Sequence, residues 1–154
     1  MRPALLCVIM MLVIVSCDTS RMFEKNTPVP IDGWTYEEGQ TFTVNISDTT
    51  QAYNLYINIR HTTEYNYNNI WILLTTTLPD GNILTDQIEL QLAEPTGEWT
   101  GNCLDGICFN SILARSNFRF FLPGEHQFTI AQDMRVSPLQ GISDVGVRLE
   151  KLSI

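Results

Sequence analysis

The chain has 154 residues, of which 9 are basic and 17 are acidic, so its formal net charge is −8 at pH 7. Lysine occurs only at positions 25 and 151, and the clustered cations that follow a phosphate backbone are missing from the sequence. This composition argues against nucleic acid as a partner, and against attachment to an anionic membrane surface by charge alone.

The first 16 residues have the pattern of a secretory signal. Arg2 precedes an apolar run over residues 4–15, which is shorter than the roughly 20 residues that span a bilayer. The following tetrapeptide, "IVSC" at 14–17, resembles a bacterial lipobox, in which the cysteine is acylated and becomes the new N-terminus. We predict a signal peptide over 1–16 and a membrane anchor through acyl chains on Cys17. A buried first strand or helix is the alternative.

Residues 17–32 are predicted to be the lipidated N-terminus and an extended linker. The stretch "NTPVPIDG" contains two prolines and shows neither strand alternation nor a helical period. The linker would become the first edge of a domain that spans residues 33–154, a length that can bury a hydrophobic core.

Alternation of apolar and polar residues begins after this linker and predicts strands with one wet face. It is clear in "QTFTVNI" and in "AYNLYINIRH", where the side chains expected to point inward are Phe42, Val44, Ile46, Tyr53, Leu55, Ile57 and Ile59. The next run, "NIWILLTTTL", is apolar on both faces and predicts a central strand.

The second half continues as strands joined by turns. "PDGN" is a turn signal, and "ILTDQIELQL" returns as a strand with Ile88, Leu90 and Leu92 inward. "EWTGNC" and "ICFNSILARS" predict a hairpin, "FRFFL" and "HQFTIAQDM" predict two further strands, and "DVGVRLEKLSI" closes the domain. No amphipathic helix is found. We therefore predict an all-β fold, an antiparallel β-sandwich of about eight or nine strands, with a jelly roll as one arrangement.

Two cysteines, Cys103 and Cys108, belong to the mature domain. If Asp105-Gly106 forms a two-residue hairpin turn, Cys103 faces Cys108 at a distance that allows a disulfide. A zinc site is disfavoured because no second cysteine pair is present, whereas two free thiols remain an alternative.

No motif in the sequence indicates catalysis. Only two histidines are present, and there is no nucleophile elbow, no phosphate-binding glycine loop and no dinucleotide fingerprint. We predict no catalytic residues, no metal site and no cofactor.

The stretch "RHTTEYNYNNIW" at 60–71 is unusually rich in aromatic and polar residues. Tyrosine, tryptophan and arginine are common anchors of protein interfaces, and loops at one end of a sandwich often bind partners. Its candidate partner-binding residues are Arg60, His61, Tyr65, Tyr67 and Trp71. The alternative is a polar loop whose tyrosines cover the end of the sandwich.

Several blocks together resemble the GldH family of gliding-motility lipoproteins. They are the lipobox, "YNLYINIRHTTEYNYNNIW" at 53–71, "PDG" at 79–81, "GEWTG" at 97–101 and "QDMRVSPLQGISDVGVRLEK" at 132–151. They cover nearly the whole chain in order. The segment "CLDGIC" departs from the family, which more usually has glycines there and no cysteine pair.

The resemblance implies a lipid-anchored envelope protein of Gram-negative gliding bacteria, associated with surface motility and type IX secretion. It implies no catalytic residues. We therefore expect a non-enzymatic protein that acts through protein partners. The alternative is a lipoprotein whose jelly roll binds glycan against aromatic side chains such as Tyr65, Tyr67 or Trp71.

Overall fold

The computed structural model of the protein describes residues 20–152, so the predicted signal peptide and Cys17 lie outside the described residues. Residues 20–152 form strands without a helix, and accordingly contain no helix that could cross a membrane. The nine strands are β1 (Arg21–Pro28), β2 (Gln40–Ile46), β3 (Tyr53–Thr62), β4 (Asn69–Thr77), β5 (Ile83–Gln91), β6 (Asn102–Leu104), β7 (Ile107–Phe118), β8 (Gly124–Gln132) and β9 (Ile142–Lys151). The predicted all-β class is confirmed.

The strands form two antiparallel sheets that pack face to face. The five-stranded sheet has the order β1-β9-β3-β7-β6, and the four-stranded sheet has the order β2-β8-β4-β5. When the short β6 is set aside, the two orders are those of a jelly roll, in which eight strands wind as two Greek keys. Strand β6 is then an addition, a hairpin arm on the free edge of β7.

Alternation along the strands produces the core between the sheets. Successive side chains point to opposite faces, so every second residue of β2, β3 and β9 points into the sandwich. The buried side chains from these strands include Phe42, Val44, Ile46, Leu55, Ile57, Ile59, Val145, Val147 and Leu149. Each contributes roughly 1.5–3 kcal/mol by leaving water.

Strand β4 is central, as predicted, because it pairs with β8 on one side and β5 on the other. Its two faces nevertheless differ. Ile70, Ile72 and Leu74 are buried, whereas Trp71 and Leu73 lie half-exposed on the outer face of the four-stranded sheet. A run that is apolar on both faces therefore supplies one core face and one outward aromatic surface.

The linker prediction for residues 17–32 is wrong over Arg21–Pro28, which form β1 and pair along β9. An edge strand is only half-buried, so its sequence shows weak alternation. Its partner lies more than a hundred residues away in the sequence, where no local pattern reveals it. Pro28 ends the strand at an edge, a position at which a missing N–H is tolerated.

The strand predicted at "FRFFL" is also wrong. Strand β7 continues to Phe118, and the chain then leaves the sheet, with Asn117 in the left-handed region (φ 47°). Phe121 is 94% exposed, and the next strand is β8. The predicted number of strands is right although its members differ, because β1 replaces this segment.

The sandwich has two ends that carry different loops. We call the end where β1 begins the N-terminal end; it carries the connections 47–52, 78–82 and 119–123. The opposite end carries the connections 29–39, 63–68, 92–101 and 133–141, together with the turn between β6 and β7.

Candidate functional site

The aromatic segment at 60–71 divides into a buried part and an exposed part. Arg60 lies on the outer face of the five-stranded sheet, where it pairs with Asp144 at 3.3 Å and stands over the ring of Phe109. Alternation along β3 sends the next residue, His61, to the inner face, where it is fully buried.

His61 and Tyr65 pack inside the opposite end of the sandwich. The His61 ring lies 4.5 Å from the ring of Trp99, and its Nε2 is 3.2 Å from Oδ1 of Asn110. Tyr65 is 4% exposed and donates its hydroxyl to the carbonyl of Asn69 at 3.0 Å. Burial raises the pKa of Tyr65, and the nearby Tyr67 raises it further.

Burial corrects the predicted partner-binding surface at two positions. His61 and Tyr65 cannot meet a partner without unfolding this end of the domain, so the architectural interpretation applies to them. The sequence held a signal for His61, because it continues the inward alternation of Ile57 and Ile59. Tyr65 follows the strand in an irregular loop, where no period indicates direction.

Tyr67 and Trp71 remain accessible and line a groove of about 500 Å³. Trp71 projects from the outer face of β4, and Tyr67 lies in the connection just before it, 36% exposed. The rest of the lining comes from β5 and from the chain that follows β8, and consists of Gln87, Asp133, Met134 and Arg135. We call this surface the Trp71 groove.

Backbone and side-chain hydrogen bonds fix the walls of the Trp71 groove. Asp133 donates its N–H to the carbonyl of Trp71 at 2.8 Å, and the N–H of Trp71 lies 3.2 Å from the sulfur of Met134. Gln87 donates to the carboxylate of Asp133 at 2.5 Å. Tyr36 donates its hydroxyl to the carbonyl of Met134 at 2.8 Å. The rings are thus presented by a pre-organised frame.

The side chains that line the Trp71 groove are of types that can bind a partner. The groove combines two aromatic rings with one carboxylate, one guanidinium and one amide, which together can pack against and hydrogen-bond a partner. Within residues 20–152 no cluster of three metal-ligating side chains is present.

Sequence reasoning missed four residues of the groove, because their approach to Trp71 depends on strand pairing. They are Gln87, Asp133, Met134 and Arg135. The only signal was the block "QDMR", three of whose residues line the groove.

The turn between β6 and β7 brings the two cysteines together. Asp105 and Gly106 occupy left-handed conformations (φ 50° and 80°), as a two-residue hairpin turn requires. Cys103 therefore pairs with Cys108, their Cα atoms are 4.0 Å apart, and the structure joins them in a disulfide. Cys103 is exposed and Cys108 is buried, so the bond ties the arm to the edge of the sheet.

Comparison with known proteins places these features in a family context. Residues 21–149 match the model of the family described as GldH lipoprotein. The chain is 30% identical over 143 residues, 88% of its length and 87% of the relative's, to a protein of Christiangramia forsetii named "Gliding motility lipoprotein GldH homolog". It is also 30% identical over 147 residues, 91% of each chain, to "Gliding motility lipoprotein GldH" of Flavobacterium johnsoniae. No solved structure matches it significantly.

Proposed function

Because this chain belongs to the GldH lipoprotein family, which is associated with gliding motility, we propose that it is a non-enzymatic envelope component that binds a protein partner through the Trp71 groove. The partner would belong to the motility apparatus or to its associated type IX secretion machinery. The acyl group on Cys17 would hold the domain at the membrane.

The observation that supports this role is the composition of the Trp71 groove. Tryptophan, tyrosine and arginine dominate the energetics of protein interfaces, and here Trp71, Tyr67 and Arg135 surround one concave surface. A tyrosine and a tryptophan bring large apolar area at a low cost in side-chain entropy. The fixed frame around them lowers the ordering cost of binding further.

Substitution of Trp71 by alanine tests the proposal. The expected result is loss of partner capture by cross-linking in the native envelope, and loss of gliding in a host whose own copy has been removed. Leu73→Ala is the matched control, because Leu73 lies on the same face of β4, is also half-exposed and does not line the groove. Equal capture and equal motility for the two variants would remove the groove from the proposal.

Attachment at Cys17 is tested separately. Cys17→Ala should abolish incorporation of acyl label and leave material that is either uncleaved or released from membranes. A variant whose signal is cleaved and which still fractionates with membranes would contradict the anchor.

A second candidate function is glycan binding by the same groove. It is favoured by flat rings beside polar groups, since Asp133, Gln87 and Arg135 can hydrogen-bond hydroxyls while Trp71 stacks on an apolar sugar face. Purification from the native envelope separates the two candidates. A protein partner remains bound during a wash with competing oligosaccharide. A bound glycan is instead displaced by that oligosaccharide and released into the wash.

A further inference from the structure

A second cavity, of about 370 Å³, opens between the two sheets at the N-terminal end. Its floor consists of buried side chains contributed by both sheets and by the connection before β8, namely Leu55, Thr76, Phe120, His126 and Phe128. Its rim consists of exposed side chains, including Asp80, Leu84, Arg119 and Phe121. The volume lies within the range of roughly 300–1,000 Å³ in which small ligands bind.

Aromatic packing gives the cavity firm, apolar walls. The ring of Phe120 meets the rings of His126 at 4.6 Å and Phe118 at 5.0 Å, both edge-on. At the rim, Phe121 is 94% exposed and Leu84 is 50% exposed. Apolar groups left in water beside an apolar cavity indicate a surface that is covered in the working protein.

Few polar groups reach this cavity, and two of them have unused hydrogen-bonding capacity. His126 is buried, with Nδ1 placed to donate to the carbonyl of Gly124 at 3.2 Å, and its Nε2 has no partner within residues 20–152. Arg119 donates Nε to the carbonyl of Thr50 at 3.0 Å, and its two Nη nitrogens have no partner in the same range. Arg115, by contrast, is paired with Asp86.

The rim also contains one carboxylate, and its hydrogen bonds are local. Asp80 accepts from the backbone N–H and the side-chain amide of Asn82, at 3.1 and 2.7 Å. Arg119 is therefore the cation at the rim that is available to an anionic or ester head group, while most of the floor consists of the apolar side chains of Leu55, Phe120 and Phe128.

The path of the chain brings lipid to this end of the sandwich. The carbonyl of Ser20 accepts from the N–H of Lys151, Lys151 pairs with Tyr53, and Tyr53 pairs with Phe118 at the cavity. Three strand spacings of about 4.8 Å separate the start of β1 from the cavity wall, a distance of roughly 14 Å. Cys17 precedes Ser20 by three residue steps, which can span at most about 10 Å. This step rests on the proposed acylation of Cys17.

We propose that the cavity at the N-terminal end binds a single long acyl chain, with its polar head at the rim beside Arg119. Two sources share this chemistry. One is an acyl chain carried by Cys17 itself, and the other is a fatty acid or phospholipid from the leaflet in which the protein is anchored. An apolar segment of a protein partner is the competing occupant.

The test is photo-cross-linking of the full chain in cells that process lipoproteins and are fed a fatty acid bearing a diazirine. After irradiation, the expected label lies on the floor, in the peptides that contain Phe120, His126 and Phe128. An adduct that contains the Cys17 peptide assigns the chain to the protein's own anchor. An adduct of free fatty acid or phospholipid assigns it to the leaflet. Either adduct supports the proposal, and the second does so even if Cys17 carries no lipid.

A matched pair of variants makes the test specific. Leu84→Asp places a charge at the rim and should reduce floor labelling by at least about tenfold, because a charged side chain there opposes entry of an apolar chain. Ile83→Asp is the control, because Ile83 is 64% exposed, precedes Leu84 on β5 and does not line the cavity. Unchanged melting temperatures verify that both variants fold. An unlabelled floor beside a labelled membrane-facing surface, or equal labelling in the two variants, overturns the proposal.

Discussion

Tyr65 and Tyr67 lie two residues apart, and the fold gives them different environments. The ring of Tyr65 is buried against His61, while the ring of Tyr67 meets Tyr65 edge-on at 5.5 Å and faces the Trp71 groove. A row of aromatic rings thus runs from the interior of the opposite end to its surface. Loss of an inner ring would withdraw support from the outer one, so function and stability need separate measurements here.

Alanine substitutions should separate the two tyrosines. Tyr65→Ala removes a buried ring and is expected to lower the free energy of unfolding by about 3–5 kcal/mol. Tyr67→Ala removes a partly exposed ring and should change it by no more than about 0.5 kcal/mol. Urea denaturation measures both. Tyr65→Phe, which keeps the ring and loses the hydrogen bond to Asn69, should cost about 1 kcal/mol. Similar losses for the two alanine variants would contradict the burial described above.

The disulfide can be tested at the same scale. Cys103→Ser removes a bond that closes a loop of a few residues, so the expected loss of unfolding free energy is about 2 kcal/mol. Thiol labelling of the denatured wild-type protein should find neither Cys103 nor Cys108 reactive until reductant is added. If denatured wild-type protein labels fully without reductant, the two thiols are free.

At the scale of strands, alternation of apolar and polar residues predicted the strands that have one buried face. It failed for segments whose structure depends on pairing with a distant strand. Strands β2 and β3 were predicted with the correct inward residues, because one face of each is buried over most of its length. Strand β1 was missed because an edge strand is only partly buried, so its sequence shows little alternation of apolar and polar residues. The segment "FRFFL" was overpredicted because the chain leaves the sheet after Phe118, and Phe120 and Phe121 then line the cavity at the N-terminal end. The Trp71 groove depends on neighbours brought by β5 and β8, which a single sequence does not reveal.

The contact between β1 and β9 depends on a glycine. Gly146 pairs with Asn26, and a Cβ at position 146 would lie 2.6 Å from the carbonyl oxygen of Lys25 and 2.0 Å from Oδ1 of Asn26. Asn26 in turn accepts from Asn58, which also donates to Glu24. Because Gly146 has no side chain, the side-chain amide of Asn26 can lie across β9 and reach Asn58.

Gly146→Ala is expected to loosen β1. Steric overlap should cost about 1–3 kcal/mol, and hydrogen exchange should accelerate in β1 before it does in β3. Adding Asn26→Ala removes one clash and leaves the backbone clash with Lys25, so the double variant should recover only part of the loss. Complete recovery would mean that the side chain of Asn26 is the sole obstacle.

At the scale of the whole molecule, the two candidate surfaces lie at different ends of the jelly roll. The cavity proposed to bind an acyl chain is at the N-terminal end, where β4 ends at Thr77. The Trp71 groove lies near the opposite end, where β4 begins. Six residues separate Trp71 from Thr77, which is about 20 Å along a strand. A short tether at one end would hold that end close to the bilayer and present the other to the envelope space.

Site-specific photo-cross-linking at two positions checks this orientation. A photoreactive residue in place of Phe121 should capture lipid, because Phe121 is fully accessible at the end where β1 starts. The same residue in place of Tyr67 should capture protein, since Tyr67 lines the groove remote from that end. A third position, Tyr56, lies on the outer face of the five-stranded sheet under Arg148. It serves as the control and should capture neither lipid nor protein strongly.

Lipid at both Phe121 and Tyr67 would mean that the domain lies flat on the membrane. Protein at both would mean that a partner encloses it, and either result would contradict an upright domain that divides lipid and partner between its ends.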